Sequence, residues 1–190
     1  MKIKKQLFSI LFLVPITLAY SQFDKEFTKR NWKVGKEKTI FNNPVTRLEG
    51  YNDTYTVTNI GIKTIEQLID ETQNKAKSEM WTKEKTDKTI VGYKEIAQGG
   101  VIYIYLGRIT LDSAKLENFT VIVMDSDDET ELIRKELTGG SPSVPSSSML
   151  DLWTNMSFVP IDKENSGEIF VYVIDRLGDS NKKFKFHIKV

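Results

Sequence analysis

The chain has 190 residues, 39% of them hydrophobic, with 27 Lys+Arg, 26 Asp+Glu, one His and no Cys. The absence of Cys excludes a disulfide scaffold, a thiol nucleophile and a thiolate metal site, and a single His excludes any site built on two imidazoles. A formal net charge of +1 argues against a nucleic-acid binder.

Residues 1–21 read as a signal peptide. Lys2, Lys4 and Lys5 precede an apolar run from Leu7 to Ala19, and Ala19 and Ser21 are the small residues a signal peptidase inspects. Cleavage is expected before Gln22. The run is shorter than the roughly 20 apolar residues a membrane span needs. No later stretch is longer, so no transmembrane segment is expected after cleavage. The chain without its leader carries 24 basic and 26 acidic groups, close to neutrality. The expected location is periplasmic or secreted.

Residues 22–50 read as an N-terminal extension rich in lysine, with Phe23, Phe27 and Trp32 pinning it to the rest. It is expected to hold at most one short strand near Thr39–Phe41, followed by an Asn42-Asn43-Pro44 turn. Residues 51–190 read as one domain. Thr54–Ile60 alternates as a strand. Ile65, Leu68, Ile69, Thr72 and Ala76 form one apolar stripe at helical spacing, predicting a helix over 65–80. Thr64 and Gln67 are placed to make a capping box at its start.

From Thr89 onward the chain reads as strands: Thr89–Ala97, then Val101–Leu111, then Phe119–Asp125. The run from Val101 to Leu106 is continuously apolar, which predicts a strand covered on both faces. Thr130–Leu137 fits either a short helix or the second arm of a hairpin, and the turn before it favours the hairpin. Gly139–Ser148 is a loop by composition. Met149–Val159, Ile169–Ile174 and Phe184–Val190 complete the strands. In the last, Phe184, Phe186 and Ile188 alternate with Lys185, His187 and Lys189, predicting one buried and one wet face. The pattern predicts a mostly β fold: an antiparallel β-sandwich, jelly-roll or Ig-like, with one amphipathic helix packed on it.

No strong catalytic motif is present, and no catalytic or cofactor-binding residue is assigned. His187 lies between two lysines on the outward face, and reads as a solvated edge-strand residue. Asp125, Asp127, Asp128 and Glu129 form an acidic turn that could contribute oxygens to Ca²⁺, with Asp112, Asp175 and Asp179 also near strand ends. The turn lacks the Gly and distal Glu of an EF-hand loop. Trp153 beside Asp151 and Asn155, with Tyr103 and Tyr105 on one side of their strand and Trp81 after the helix, could form an aromatic sugar-binding platform. The competing reading is that Trp153 belongs to the core. The sequence thus suggests an exported non-enzymatic module that binds a macromolecule or glycan, or serves in an envelope assembly. The alternatives are a carboxylate-dependent hydrolase acting outside the cytoplasm, and a Ca²⁺-stabilised adhesion-type module.

Overall fold

The computed structural model describes residues 32–51, 55–143, 152–177 and 182–190. The expected signal peptide, Phe23, Phe27, Asp151, Asp179 and residues 144–148 of the expected loop lie outside these ranges. Among the described residues, no helix is long and apolar enough to cross a membrane.

Among the described residues, nine strands form two antiparallel sheets, accompanied by two α-helices. In chain order they are β1 (Glu37–Ile40), β2 (Asn43–Glu49), β3 (Thr56–Lys63), α1 (Ile65–Ser78), α2 (Lys83–Ile96), β4 (Val101–Arg108), β5 (Phe119–Asp125), β6 (Glu131–Glu136), β7 (Trp153–Pro160), β8 (Glu168–Asp175) and β9 (Lys182–Lys189). The larger sheet has the order β1-β2-β9-β8-β5-β6 and the smaller β3-β4-β7.

The stretch expected to hold at most one strand carries two. Phe41 and Asn42 adopt left-handed φ of 51° and 66°, which closes a tight β1–β2 hairpin, and β2 then pairs with β9. The hairpin turn lies against β3 at Gly61, where a Cβ would sit 2.5 Å from Ile40 Cγ2. Only a glycine admits that approach.

The Thr64 capping box is made: the Thr64 hydroxyl accepts from Gln67 N, and the Gln67 side chain accepts from Thr64 N. The Asn43 amide donates to Gln67 Oε1 and to Ile62 O, which ties the cap to the hairpin. The strand expected over Thr89–Ala97 is instead the second half of α2. Its β-branched Thr89-Ile90-Val91 imitates a strand locally. Thr82 caps the helix, and the Thr86 and Thr89 hydroxyls donate to carbonyls four residues back. The half-buried positions Thr86, Thr89, Ile90, Tyr93 and Ile96 then share one helical face. The chain therefore has two helices between β3 and β4, where one was expected.

Thr130–Leu137 does form the hairpin arm: β6 pairs antiparallel with β5. All eight residues of β4 are buried, as its continuous apolar run requires of the central strand of three. The inward residues of β2, β5, β8 and β9 join Ile60, Ile62, Ile102, Ile104 and Leu106 in one hydrophobic cluster drawn from both sheets. Arg108 of β4 crosses between the sheets to Asp175 of β8, with both side chains buried.

On β7 the two faces are unequally covered. Asn155, Ser157 and Val159 are the buried set, while Thr154, Met156 and Phe158 are half-buried. Register explains it. Asn155, Ser157 and Val159 lie opposite Leu106, Ile104 and Ile102, while Met156 and Phe158 lie opposite Tyr105 and Tyr103. The Asn155 amide donates to Ala114 O and Gly140 O, so its polar groups are satisfied.

Candidate functional site

Alternation on β8 and β9 sends two sets of side chains to opposite faces of the six-stranded sheet. Ile169, Val171 and Val173 of β8, with Phe184, Phe186 and Ile188 of β9, are buried in the core. The other set is Phe170, Tyr172 and Ile174 on β8 with Lys183, Lys185 and His187 on β9. Pairing places Phe170 opposite His187, Tyr172 opposite Lys185 and Ile174 opposite Lys183. Residues opposite each other share a face. Two aromatic rings and three basic side chains thus form a cross-strand ladder.

The contacts in the ladder are specific. The His187 ring stacks on Phe170 at 4.9 Å between centroids and 22° between planes. Its Nε2 lies 3.0 Å from Glu168 Oε2. Lys185 Nζ lies 4.8 Å from the Phe170 centroid and 5.2 Å from that of Tyr172, and Lys183 Nζ lies 4.3 Å from the Tyr172 ring. Such cation–ring contacts hold lysine stems along the sheet while the charged heads stay near solvent. His187 is not on an edge: β9 lies between β2 and β8.

The β5–β6 turn closes one end of the ladder. Asp128 takes a left-handed φ of 57°, and its carboxylate accepts from Lys185 Nζ at 2.5 Å and from Tyr172 OH at 2.6 Å. Desolvation pushes the Asp128 pKa up, but the hydrogen bonds from Lys185 and Tyr172 outweigh it, and the net shift is downward. The hydrogen bond to Asp128 raises the Lys185 pKa, and desolvation followed by the Asp128 contact raises that of Tyr172. At neutral pH the three groups are therefore ammonium, carboxylate and phenol. Both Asp128 oxygens are occupied, and a charged lysine is no nucleophile.

The other acids of the turn are engaged as well. Asp127 accepts from Glu129 N, Thr130 N and the Thr130 hydroxyl, an Asx-type turn that keeps its pKa low. Asp125 accepts from the Ser166 hydroxyl, Ser126 N and Ser166 N, with the same consequence. Asp175 lies at the far end of the sheet: it pairs with Phe119 at the start of β5, while Asp125 ends that strand, about 20 Å away. Asp112 is at the Asp175 end too, since Asn118 donates to its carbonyl and Asn118 O accepts from Arg176 N. The expected grouping of Asp112 and Asp175 with the acidic turn is not formed. Among the described residues, no group of three His, Asp or Glu side chains is arranged to hold a metal ion.

The expected aromatic platform is not assembled either. Tyr103 and Tyr105 share a face, but are only 6% and 9% exposed, and Phe41 and Phe158 lie 5.1 and 5.0 Å from Tyr103. Trp153 is half-buried on the β7 face that carries Asn155. The described part of the Gly139–Ser148 loop is held to β7 by backbone hydrogen bonds between Ser143 and Thr154. The ladder itself could have been suspected from the alternation of β8 and β9. The pairing register that brings Phe170 to His187 and Tyr172 to Lys185 is not a local property of either strand.

Replacing Asp128 by asparagine tests the triad. A carboxylate with a depressed pKa contributes stability above its unfolded pKa, near 4, and loses it as pH falls through the lower folded value. D128N is therefore expected to melt below the wild type at pH 7, with the gap closing in acid. A gap independent of pH in thermal melts would show that the charge of Asp128 contributes nothing.

Comparison with known proteins adds no relative: no family model matches the sequence, and neither a curated protein nor a solved structure matches it.

Proposed function

We propose that this chain is an exported, non-enzymatic β-sandwich that binds an acidic glycan across the outward face of its six-stranded sheet. The sandwich form is supported by the hydrophobic cluster shared between the two sheets and by the Arg108–Asp175 bridge. Export is supported by the composition of residues 1–21. The observation that carries the binding reading is the basic–aromatic ladder. Lys183, Lys185, His187 and Lys189 project to one side of β9 at intervals of about 7 Å. Lysine stems cover the rings, so an approaching ligand meets ammonium groups backed by aromatic surface. That favours carboxylated or sulfated sugars over neutral ones.

Alginate, dextran and polyglutamate separate the possibilities by titration calorimetry. Alginate is expected to bind and dextran not to bind. Exchanging Lys183 and Lys189 for glutamate is expected to weaken alginate binding by about tenfold or more, since each is a like-charge reversal on the contact face. Equal binding of polyglutamate and alginate would replace the glycan by an acidic protein partner. An unchanged affinity in the double variant would remove this face as the site.

A further inference from the structure

The junction of α1 and α2 carries two choices that the fold does not ask for. α1 ends in a Schellman-type turn: Trp81 N donates to Ala76 O at 2.9 Å, and the residue between the cap Glu79 and Trp81 is Met80, at φ 52°. Glycine is the usual residue there because a left-handed φ strains any residue with a Cβ. Met80 is moreover 91% exposed. A methionine at this position stores backbone strain and leaves a long apolar side chain in water.

Its surroundings are a half-exposed indole and lysines. Trp81 lies next in sequence, with Nε1 donating to Glu79 Oε2 at 2.8 Å. Lys85 Nζ sits 3.7 Å from the Trp81 ring centroid and Lys75 Nζ 5.5 Å. Lys77, Lys83 and Lys88 are exposed nearby in sequence, so that residues 75–88 hold five lysines against Glu79, Glu84 and Asp87. No residue of α2 is fully buried.

We propose that the α1–α2 tip is a docking site for an anionic lipid bilayer, with Met80 and Trp81 entering the headgroup region and the lysines contacting lipid phosphates. The argument is charge complementarity joined to the shape of the apolar exposure. A single protruding methionine beside an indole with a polar edge is the composition of an interfacial anchor. It is too small for a stable protein interface, which buries about 800 Å² per partner. Lysines flanking such an anchor add attraction to anionic lipid, and that attraction is screened by salt.

The test is co-sedimentation of the full chain with phosphatidylcholine vesicles, with and without phosphatidylglycerol, at low and high salt. Binding is expected only to the anionic vesicles and is expected to fall by about fivefold or more at high salt. Met80→Gly is the decisive variant. It relieves the left-handed strain, so it is expected to melt at or above the wild-type temperature while losing vesicle binding by about fivefold. Lys83→Glu with Lys85→Glu is expected to lose binding similarly. Equal binding to neutral vesicles, unchanged binding by Met80→Gly, or no vesicle binding at all would each overturn the proposal, the last leaving the tip to an acidic protein partner. A lower melting temperature for Met80→Gly would show that the fold itself needs the methionine, and would remove the argument.

Discussion

Replacing Arg47 by alanine is expected to destabilise the protein by about 4 kcal/mol, enough to leave much of it unfolded. Arg47 is fully buried on β2, and its guanidinium donates to three main-chain carbonyls: Nη1 to Trp32 O at 2.9 Å, Nη2 to Tyr51 O at 2.6 Å and Nε to Glu49 O at 3.4 Å. It also lies over the Phe184 ring at 5.3 Å. Burial pushes its pKa down, yet an arginine stays charged at any ordinary pH. Among the described residues no carboxylate forms an ion pair with it. The carbonyls, with the Phe184 ring, therefore stabilise the charge. Truncation leaves them without their donors and opens a cavity at Gly50, where a Cβ would lie 2.5 Å from Nη2. Lysine should not rescue, because one ammonium cannot reproduce a planar fork reaching residues 32, 49 and 51. Urea unfolding decides the matter: a loss below about 1 kcal/mol would show that the clamp is dispensable.

Asp175→Ala is expected to cost about 3–5 kcal/mol, for a different reason. Asp175 Oδ2 accepts from Arg108 Nε at 3.2 Å and Nη2 at 3.1 Å, and its Oδ1 accepts from Leu177 N at 3.1 Å. Arg108 also donates to Val57 O, Gly107 O and Thr58 Oγ1, and lies 4.8 Å over Phe119. Removing the carboxylate strands a guanidinium between the sheets. Replacing both partners by apolar residues, Arg108→Met with Asp175→Leu, is expected to recover much of the loss, because neither charge then remains to be desolvated. If the double variant is no more stable than Asp175→Ala in the same urea assay, the penalty does not come from the stranded charge.

Neither arginine was recognisable as a core residue. Arg47 sits in Thr46-Arg47-Leu48 and Arg108 in Gly107-Arg108-Ile109, and nothing local distinguishes them from a solvated side chain. Their burial depends on carbonyls and a carboxylate supplied by residues up to 67 positions away. The opposite failure occurred at Thr89-Ile90-Val91. There, local β-branched character pointed to a strand, while the cap at Thr82 and the wider spacing of half-buried positions decided for a helix. On β7 the alternation correctly grouped Asn155 with Ser157 and Met156 with Phe158. It could not say which group faces the core, since both faces of that strand are partly covered.

The acidic turn shows the same division. Its carboxylates were recognised as a cluster, but their tasks were set elsewhere: Asp128 by Lys185 and Tyr172, Asp125 by Ser166. The lysines that matter most to the proposed site were visible as one alternating face of the last strand. The aromatic half of the ladder came from β8, and only the pairing of the two strands joined them.

Periodicity and capping are short-range. The apolar run of β4, the alternation of β9 and the Thr64–Gln67 box were therefore determined by the residues themselves, because each expresses the geometry of a few consecutive peptide units. Which strands are neighbours, in what register, and which cation lies against which ring were decided only when distant segments met. Those contacts depend on hydrophobic burial shared across the whole chain, and burial is indifferent to sequence separation.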